Sequence, residues 1–292
     1  MKPRPLSYVR ATDLEHAVAV LAEAGDGARV LAGGQSLIPL LAMRRLAPTV
    51  LVDLGGMPEL AYVHDVGDHV EIGAMTRTRD VELSSLVARM VPLLPEALRH
   101  VGSVAIRNRG TIGGSVAHAD PAAEMPTALR ALDGAVIATG PGGQRTIPAG
   151  EFFLGPQSTA LLPGEVLTCL RVPKQEPGTG VAVEEFSRRH NHRAVLAVFA
   201  AVRLTSDNRV ASAAVAVAGG GPTPIRAVEA ELLLTGRHPG PELLAAAAGS
   251  VAAATRPLDD VHAPAQYRRH LAEVLARRCL ETACSTVRNE PA

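Results

Sequence analysis

The feature of this chain that most constrains its fold is a strand, a glycine pair, a helix and a second strand, placed close together near the start. The apolar run 29–32 precedes Gly33 and Gly34, a helix-forming segment spans 37–46, and a run of strand-forming residues occupies 49–54. Two strands joined by one helical crossover lie parallel in the same sheet. The sequence therefore predicts a small parallel sheet at the beginning of the protein.

The ends of two helices can be predicted from residues that cap helices. The segment from Thr12 to Glu15 has the spacing of a capping box and predicts a first helix over 13–24, which Gly25 ends. Ser36 is the candidate N-cap of the second helix.

Later strands predict a second, antiparallel sheet. Runs 60–63 and 70–74 flank a turn segment at 64–68 and indicate a hairpin. Runs 135–139 and 166–172 are separated by loops rich in glycine and proline, which favours antiparallel pairing.

The pattern breaks at 174–180, where we place a domain boundary. Beyond it, 194–204 and 210–218 read as paired strands, and the chain from Arg226 onward is mostly helical by its alanine and leucine content. The predicted fold class is therefore α+β, with two β-rich subdomains followed by a domain of one sheet and several helices.

Composition and charge narrow the classes of function. The chain has 29 basic and 29 acidic residues, so no net field attracts nucleic acid or an anionic membrane. Aromatic residues make up 2%, which leaves few platforms for stacking bases. The apolar runs are too short to span a bilayer, and 1–10 does not lead into a secretory signal. We expect a cytoplasmic protein with neither nucleic-acid binding nor membrane insertion.

Metal binding is not expected in this chain. Its three cysteines, Cys169, Cys279 and Cys284, lack the close spacing of zinc or iron–sulfur ligands. His190 and His192 could face one ion from a strand, but nothing nearby completes a ligand set, so a surface turn is the better interpretation.

The first glycine segment, 32–36, lies between a strand and a helix start. Glycines there allow a tight turn, and the unpaired N–H groups suit a phosphate. Taken alone, the segment favours an ordinary strand-to-helix turn.

A second segment, 109–124, is predicted to be a long loop of small residues that ends in Asp120 and Glu124. So many small side chains imply that something approaches the backbone closely. A diphosphate held between the two segments would explain both.

Neither segment matches the common nucleotide or hydrolase motifs. No Lys-Ser or Lys-Thr follows a glycine run, and Gly33 and Gly34 lack the third glycine of the Rossmann fingerprint. Ser36 is not followed two places later by the glycine of a nucleophile elbow. Ordinary ATP, NAD and serine-hydrolase sites are therefore disfavoured.

The two segments, with several shorter ones, resemble a known family. Residues 32–37 and 111–115 are similar to the paired FAD motifs of the medium subunits of carbon monoxide dehydrogenase and xanthine dehydrogenase type molybdenum hydroxylases. The segments 72–76, 162–165, 186–189 and 221–227 agree with the same family.

The resemblance implies an FAD-binding domain of the vanillyl-alcohol-oxidase/MurB (PCMH) type over 1–176. A C-terminal CO-dehydrogenase flavoprotein-like domain over 177–286 and a tail over 287–292 would follow. FAD would bind non-covalently, with its diphosphate between the two motifs. The residues that the resemblance assigns to FAD are Leu31, Ala32, Gly33, Gly34, Gln35, Ser36, Leu37, Thr76, Val101, Gly110, Thr111, Ile112, Gly113, Gly114, Ser115, His118, Asp120, Glu124 and Leu162.

The resemblance also implies partners. The chain would pass electrons from iron–sulfur clusters to an external acceptor, with no catalytic acid or base of its own. A small subunit with 2Fe–2S clusters and a large molybdopterin subunit would complete a heterotrimer, which we expect to form a dimer. A stand-alone flavin oxidase or reductase of this fold and a non-enzymatic binding module are the alternatives.

One segment departs from the family pattern. After Arg188 and Arg189 the family usually continues with Gly-Asp and an aromatic residue, whereas this chain has His190, Asn191 and His192 before Arg193. That region lies near the isoalloxazine in relatives, so the electron acceptor stays open. The substrate, chosen by the molybdenum subunit, stays open as well.

Overall fold

A computed structural model describes residues 2–189 and 193–289, in which three main sheets follow one another along the chain. The first sheet is small and parallel. Its elements are β1 (Ser7–Arg10), α1 (Leu14–Ala24), β2 (Ala28–Leu31), α2 (Leu37–Ala42) and β3 (Val50–Asp53).

The predicted parallel pair is confirmed, because β2 runs parallel to β3 with Ala28 opposite Val50. Strand β1, which the sequence did not predict, pairs with the other side of β3 and is also parallel to it. Its four residues are mostly exposed and therefore give no apolar signal.

The capping residues differ from the prediction at both helices. Asp13 caps α1, since its carboxylate accepts a hydrogen bond from the His16 N–H at 2.8 Å. Thr12 instead donates its hydroxyl to Asp13. Ser36 has helical backbone angles and makes no side-chain cap, and α2 ends at Ala42, before the predicted 46.

A larger second subdomain follows. Its strands are β4 (Val63–Val66), β5 (His69–Gly73), β6 (Ala135–Gly140), β7 (Gly143–Pro148), β8 (Phe153–Gly155), β9 (Ser158–Thr159) and β10 (Val166–Pro173). Its helices are α3 (Thr78–Glu82), α4 (Ser85–Met90), α5 (Leu93–Leu98), α6 (Val104–Arg109), α7 (Ile112–His118), α8 (Glu124–Ala131) and α9 (Ala149–Phe152).

The antiparallel sheet predicted for this region is confirmed, with strand order β4-β5-β10-β6-β7. Strand β10 lies at its centre because 166–170 is buried throughout. The predicted hairpin is also present, although its first strand begins only at Val63, since Pro58–Leu60 forms a short 3₁₀ helix.

The C-terminal part contains one antiparallel sheet and three helices. Its elements are β11 (Thr179–Phe186), β12 (Leu196–Leu204), β13 (Val210–Ala218), β14 (Ile225–Arg226), α10 (Val228–Leu234), α11 (Pro241–Ala254) and α12 (Ala265–Asn289). The predicted pairing of the runs 194–204 and 210–218 is confirmed by β12 and β13. Helix α12 extends through the start of the predicted tail.

The two parts of the chain share one apolar core. Strand β11 places Val181 and Val183 on the face that packs toward the FAD-binding part, while Ala182 lies on the other face, toward α11 and α12. On the first face, Met125 and Leu129 of α8 belong to the same buried cluster as Val183. Residues that follow the second glycine segment therefore lie against the C-terminal sheet.

Candidate functional site

The first glycine segment is a turn at the end of β2. Gly34 has φ +74°, a left-handed conformation that favours glycine. The backbone N–H groups of 33–36 find no acceptor among the residues that the structure describes. A row of unpaired N–H groups in a tight turn can bind an anion such as a phosphate.

The second segment is not the long loop that was predicted. Residues 112–118 form helix α7, and Thr111 caps it by accepting the Gly114 N–H at 3.2 Å. The Ile112 N–H donates to the Thr76 carbonyl at 3.0 Å, and the Gly113 N–H donates to the Ala74 carbonyl at 2.9 Å. These two amides are therefore occupied within the protein.

Gly113 allows this helix to lie directly on the end of β5. A Cβ atom at Gly113 would be 2.5 Å from the Cβ atom of Ala74, closer than two carbon atoms can approach. The small residues of the second segment thus serve helix packing as well as any ligand.

The structure brings the two glycine segments into contact. A Cβ atom on Gly33 would lie 2.3 Å from the Arg109 carbonyl oxygen, and one on Gly114 would lie 3.6 Å from the Cβ of Ala32. Arg77 donates to the same Arg109 carbonyl at 2.5 Å. Contacts within the protein itself therefore hold the backbones of the two segments together, without any ligand.

Thr76 and Val101 occupy supporting positions. The Thr76 hydroxyl exchanges hydrogen bonds with the backbone of Tyr62, at 2.9 and 3.0 Å, and the residue is buried. The Val101 carbonyl accepts from Arg107 at 3.0 Å. Arg107 is itself buried and pairs with Glu82 at 2.8 Å.

Charged residues gather after α7. Asp120 accepts the Ala122 N–H at 2.9 Å and pairs with Arg193 at 2.6 Å. Burial lowers the pKa of His118, although the Asp120 carboxylate opposes that shift. The ion pair ties the second segment to the chain that enters β12.

Glu124 begins α8 and is 8% exposed. Burial raises its pKa to about 7, and the nearby Asp120 carboxylate adds to the shift. Glu185 of β11 is a second buried acid, whose pKa burial raises to about 8, with a further contribution from Glu124.

Glu185 and Arg107 were missed in the sequence. The signal for Glu185 was available, because it follows Val181 and Val183 at alternate positions of one strand and so shares their inward face. No comparable signal marks Arg107, whose partners come from separate parts of the chain.

Leu162 stands apart from the other predicted contacts. Its N–H donates to Glu165 at 2.7 Å, its side chain is 58% exposed, and no hydrogen bond within the described residues joins it to either glycine segment. The remaining predicted residues, Leu31, Leu37, Gly110 and Ser115, belong to the two segments and their flanks.

Within 2–189 and 193–289, no group of three or more His, Cys, Asp or Glu side chains could hold a metal ion. None of the helices described is long and apolar enough to cross a membrane. The predicted surface turn at 190–192 lies outside the described residues.

The residues present fit FAD. The free N–H groups of 33–36 suit its phosphates, and each glycine segment also carries a serine hydroxyl, at Ser36 and at Ser115. Glu185 offers a buried oxygen, Oε2, that has no hydrogen-bond partner among the described residues. Hydroxyl and N–H groups of FAD are donors of the kind that such an oxygen accepts.

Two family models match the chain. One is described as the FAD binding domain in molybdopterin dehydrogenase and matches residues 4–175. The other is described as the CO dehydrogenase flavoprotein C-terminal domain and matches residues 181–283.

Several relatives match over nearly their whole length. The 6-hydroxypseudooxynicotine dehydrogenase complex subunit alpha of Paenarthrobacter nicotinovorans is 40% identical, over 99% of this chain and 97% of the relative. The carbon monoxide dehydrogenase medium chain of Hydrogenophaga pseudoflava is 36% identical, over 97% and 98%. A solved structure of that dehydrogenase, lacking the Mo-pyranopterin moiety, aligns with a TM-score of 0.95 at 35% identity and covers 98% of this chain and 99% of its own.

Proposed function

Because the chain belongs to the family of FAD-binding medium subunits of molybdenum hydroxylases, we propose that it is the electron-transfer subunit of a heterotrimeric enzyme. In this role it receives electrons from iron–sulfur clusters of a partner and passes them to an external acceptor. The chain is an oxidoreductase subunit, and its cofactor is FAD.

One observation supports this proposal above the others: the contact of Gly33 with the Arg109 carbonyl. It places the free N–H groups of 33–36 beside α7, so that a diphosphate bound there lies between the two segments. We assign the FAD site to the set of residues named from the resemblance, with Thr76 and Val101 acting through backbone support.

The chain's own residues bind and orient the cofactor. Bound FAD supplies the redox chemistry, which needs no acid or base catalyst from the protein in this role. The turn at 33–36 holds phosphate through N–H groups, and Thr111 fixes the start of α7 opposite it. The buried carboxyl groups of Glu124 and Glu185 lie further along, where β11 meets α8.

The partners in this proposal are a small 2Fe–2S subunit and a large molybdopterin subunit. The relatives are named as a medium chain and as a subunit of a complex, which supports an assembly of several chains. We propose a dimer of heterotrimers, since closed twofold assemblies are the commonest. We keep the domain division at 176/177 and the cytoplasmic location as predictions.

The proposed partner subunit, not this chain, selects the substrate. The relatives' names include carbon monoxide and 6-hydroxypseudooxynicotine, which differ widely in chemistry. A panel of N-heterocycles, aldehydes and carbon monoxide is therefore the suitable probe.

Stopped-flow absorbance tests the proposal on the isolated chain and on the complex that co-purifies with it. The complex should bleach its flavin band with at least one compound of the panel, whereas the isolated, FAD-loaded chain should bleach with none. Rapid bleaching of the isolated chain would favour a stand-alone oxidase instead. A folded chain that takes up no added FAD would favour the binding-module alternative.

A second test replaces Gly33 within the complex, as Gly33→Ala. This variant should bind FAD about tenfold more weakly or worse, so its flavin band should be diminished while substrate still bleaches the iron–sulfur bands. If the flavin band survives unchanged, the glycine segments are turns without a role in FAD binding.

A further inference from the structure

Glu185 is a buried acidic residue, and the described part of the fold leaves one of its carboxyl oxygens without a hydrogen bond. Its side chain is only 7% exposed, and its Oε2 has no hydrogen-bond partner among the described residues. The nearest ion-pair partner is His100, whose Nδ1 is 3.9 Å from that oxygen, beyond hydrogen-bond range. A buried carboxyl oxygen without a partner costs free energy, so a ligand that satisfies it would be bound more tightly.

The surroundings of Glu185 lead to the cofactor site. Strand β11 supplies it, and the valines on the same face pack against the FAD-binding part. Facing it are His100, which follows α5 and precedes Val101, and Glu124, at the start of α8. Both Val101 and Glu124 belong to segments assigned to FAD.

Other charged groups are one step further away. The Asp120 carboxylate raises the pKa of Glu124 and forms an ion pair with Arg193. Across the sheet from Glu185 stands Ala197 of β12, which brings no charge. No cation lies within ion-pair distance of Glu124 in the described part of the chain, and the Glu124 carboxylate contributes to the raised pKa of Glu185.

We propose that Glu185 is a further FAD-binding residue, whose carboxylate accepts a hydrogen bond from a hydroxyl or N–H donor of FAD, so that FAD binding releases a proton. The inference rests on the proposed placement of FAD. It makes the C-terminal domain a direct contributor to a site that the resemblance assigns to the FAD-binding domain.

The proton balance follows from the burial of the two acids. In the free protein, burial keeps the pKa of Glu185 raised to about 8, so that its carboxyl is neutral at pH 7. An accepted hydrogen bond stabilises the ionised form, and the released proton passes to solvent. The new charge raises the pKa of Glu124 further, because the two groups titrate as a pair, so near pH 7 Glu124 takes up part of the proton that Glu185 gives up.

Isothermal titration of the FAD-stripped chain with FAD, in two buffers of different ionisation enthalpy, measures the protons released. Near pH 7 we expect the release of on the order of one proton per FAD. The Kd for FAD should fall about tenfold for each unit by which the pH rises, between roughly pH 6 and 8. Glu185→Gln should abolish most of the release and flatten the pH dependence.

Glu184→Gln is the matched control, because Glu184 is the next residue on the same strand and faces α12 instead. It should release protons as the wild type does. 3-Methyl-FAD tests the flavin N3–H as the donor: loss of release indicates N3–H, and continued release indicates a hydroxyl or the adenine amino group.

Wild-type FAD binding without proton release would overturn the inference, and this result does not depend on whether Glu185→Gln folds. Unchanged proton release in a folded Glu185→Gln variant would overturn it as well. Failure of the wild-type chain to bind FAD would instead contradict the proposed FAD site, so the two failures are distinguishable.

Discussion

The position that a Cβ atom of Gly33 would occupy lies 2.3 Å from the carbonyl oxygen of Arg109. Only a residue without a side chain can therefore join the two glycine segments at this point. Arg77 donates a hydrogen bond to the same carbonyl, so that oxygen cannot easily move away. Gly33 is needed for the shape of the site itself as well as for the approach of a phosphate.

Gly33→Ala should separate the two segments. We expect a loss of about 1–3 kcal/mol in the free energy of unfolding, the usual cost of overpacking. FAD should bind about tenfold more weakly or worse, which corresponds to roughly 1.4 kcal/mol. Urea unfolding and fluorescence titration measure the two effects. Gly142→Ala is the control, because its Cβ would meet nothing within 4 Å; equal effects in both variants would contradict the prediction.

Thr111→Val should remove the cap of α7 at nearly constant shape. The Gly114 N–H would lose its acceptor, at a cost of about 1 kcal/mol in stability, and FAD affinity should fall as the first turn loosens. Thr111→Ser keeps the hydroxyl acceptor and should retain the wild-type stability and FAD affinity. Ser84→Ala removes the equivalent cap of α4, away from the glycine segments, and should lower stability alone. Unchanged FAD affinity in Thr111→Val would show that the cap does not order the site.

The family, the FAD-binding fold, the FAD cofactor and the oxidoreductase class were predicted from the sequence and are confirmed by the family models and solved relatives. The parallel pair β2 and β3 was predictable because one helix connects the strands. The hairpin and the β12–β13 pair were predictable because each turn lies between strand-forming runs.

What the sequence did not reveal depends on contacts between distant segments. Residues 112–118 look like a loop in the sequence because two glycines disfavour a helix. The helix nevertheless forms, because Thr111 caps it, and Gly113 is required in it because a Cβ atom there would lie 2.5 Å from the Cβ atom of Ala74. Glu185 acquires its environment only where β11 meets α8. The individual FAD contacts remain predictions, although the structure does bring the two glycine segments together.

Arg107→Met should destabilise the protein strongly. Arg107 pairs with Glu82 at 2.8 Å and donates to the carbonyls of Val101 and Gly102 at 3.0 and 2.9 Å, all in a buried setting. Removing one member of a buried pair costs about 3–5 kcal/mol when the other charge is left without a partner. Glu82 keeps its ion pair with Arg79 at 2.8 Å, so we expect a loss at the lower end of that range, to which the carbonyls of Val101 and Gly102 contribute because they lose their donor.

Urea unfolding measures that loss. The control is Arg99→Met, because Arg99 pairs with Glu96 on the surface and is 61% exposed. That change should cost about 1 kcal/mol or less. Comparable losses in the two variants would show that the buried pair contributes no more than a surface one.

The last prediction concerns the stability of the FAD-free protein against pH. Burial raises the pKa of Glu124 to about 7 and that of Glu185 to about 8. In the unfolded chain both groups ionise near the ordinary value for glutamate, about 4.3. Between these values the folded state binds more protons than the unfolded state, so stability falls as pH rises.

Unfolding of the FAD-free chain by urea at pH 5.5 and at pH 8.5 should therefore show lower stability at the higher pH. Each carboxyl contributes at most about 1.4 kcal/mol per pH unit over its window. Glu185→Gln cannot ionise and should lose much of this decline, becoming more stable than the wild type at pH 8.5. Glu184→Gln, on the opposite face of β11, should follow the wild type. A wild-type stability that rises from pH 5.5 to 8.5, with Glu185→Gln running parallel, would mean that Glu185 is ionised in the folded, FAD-free protein.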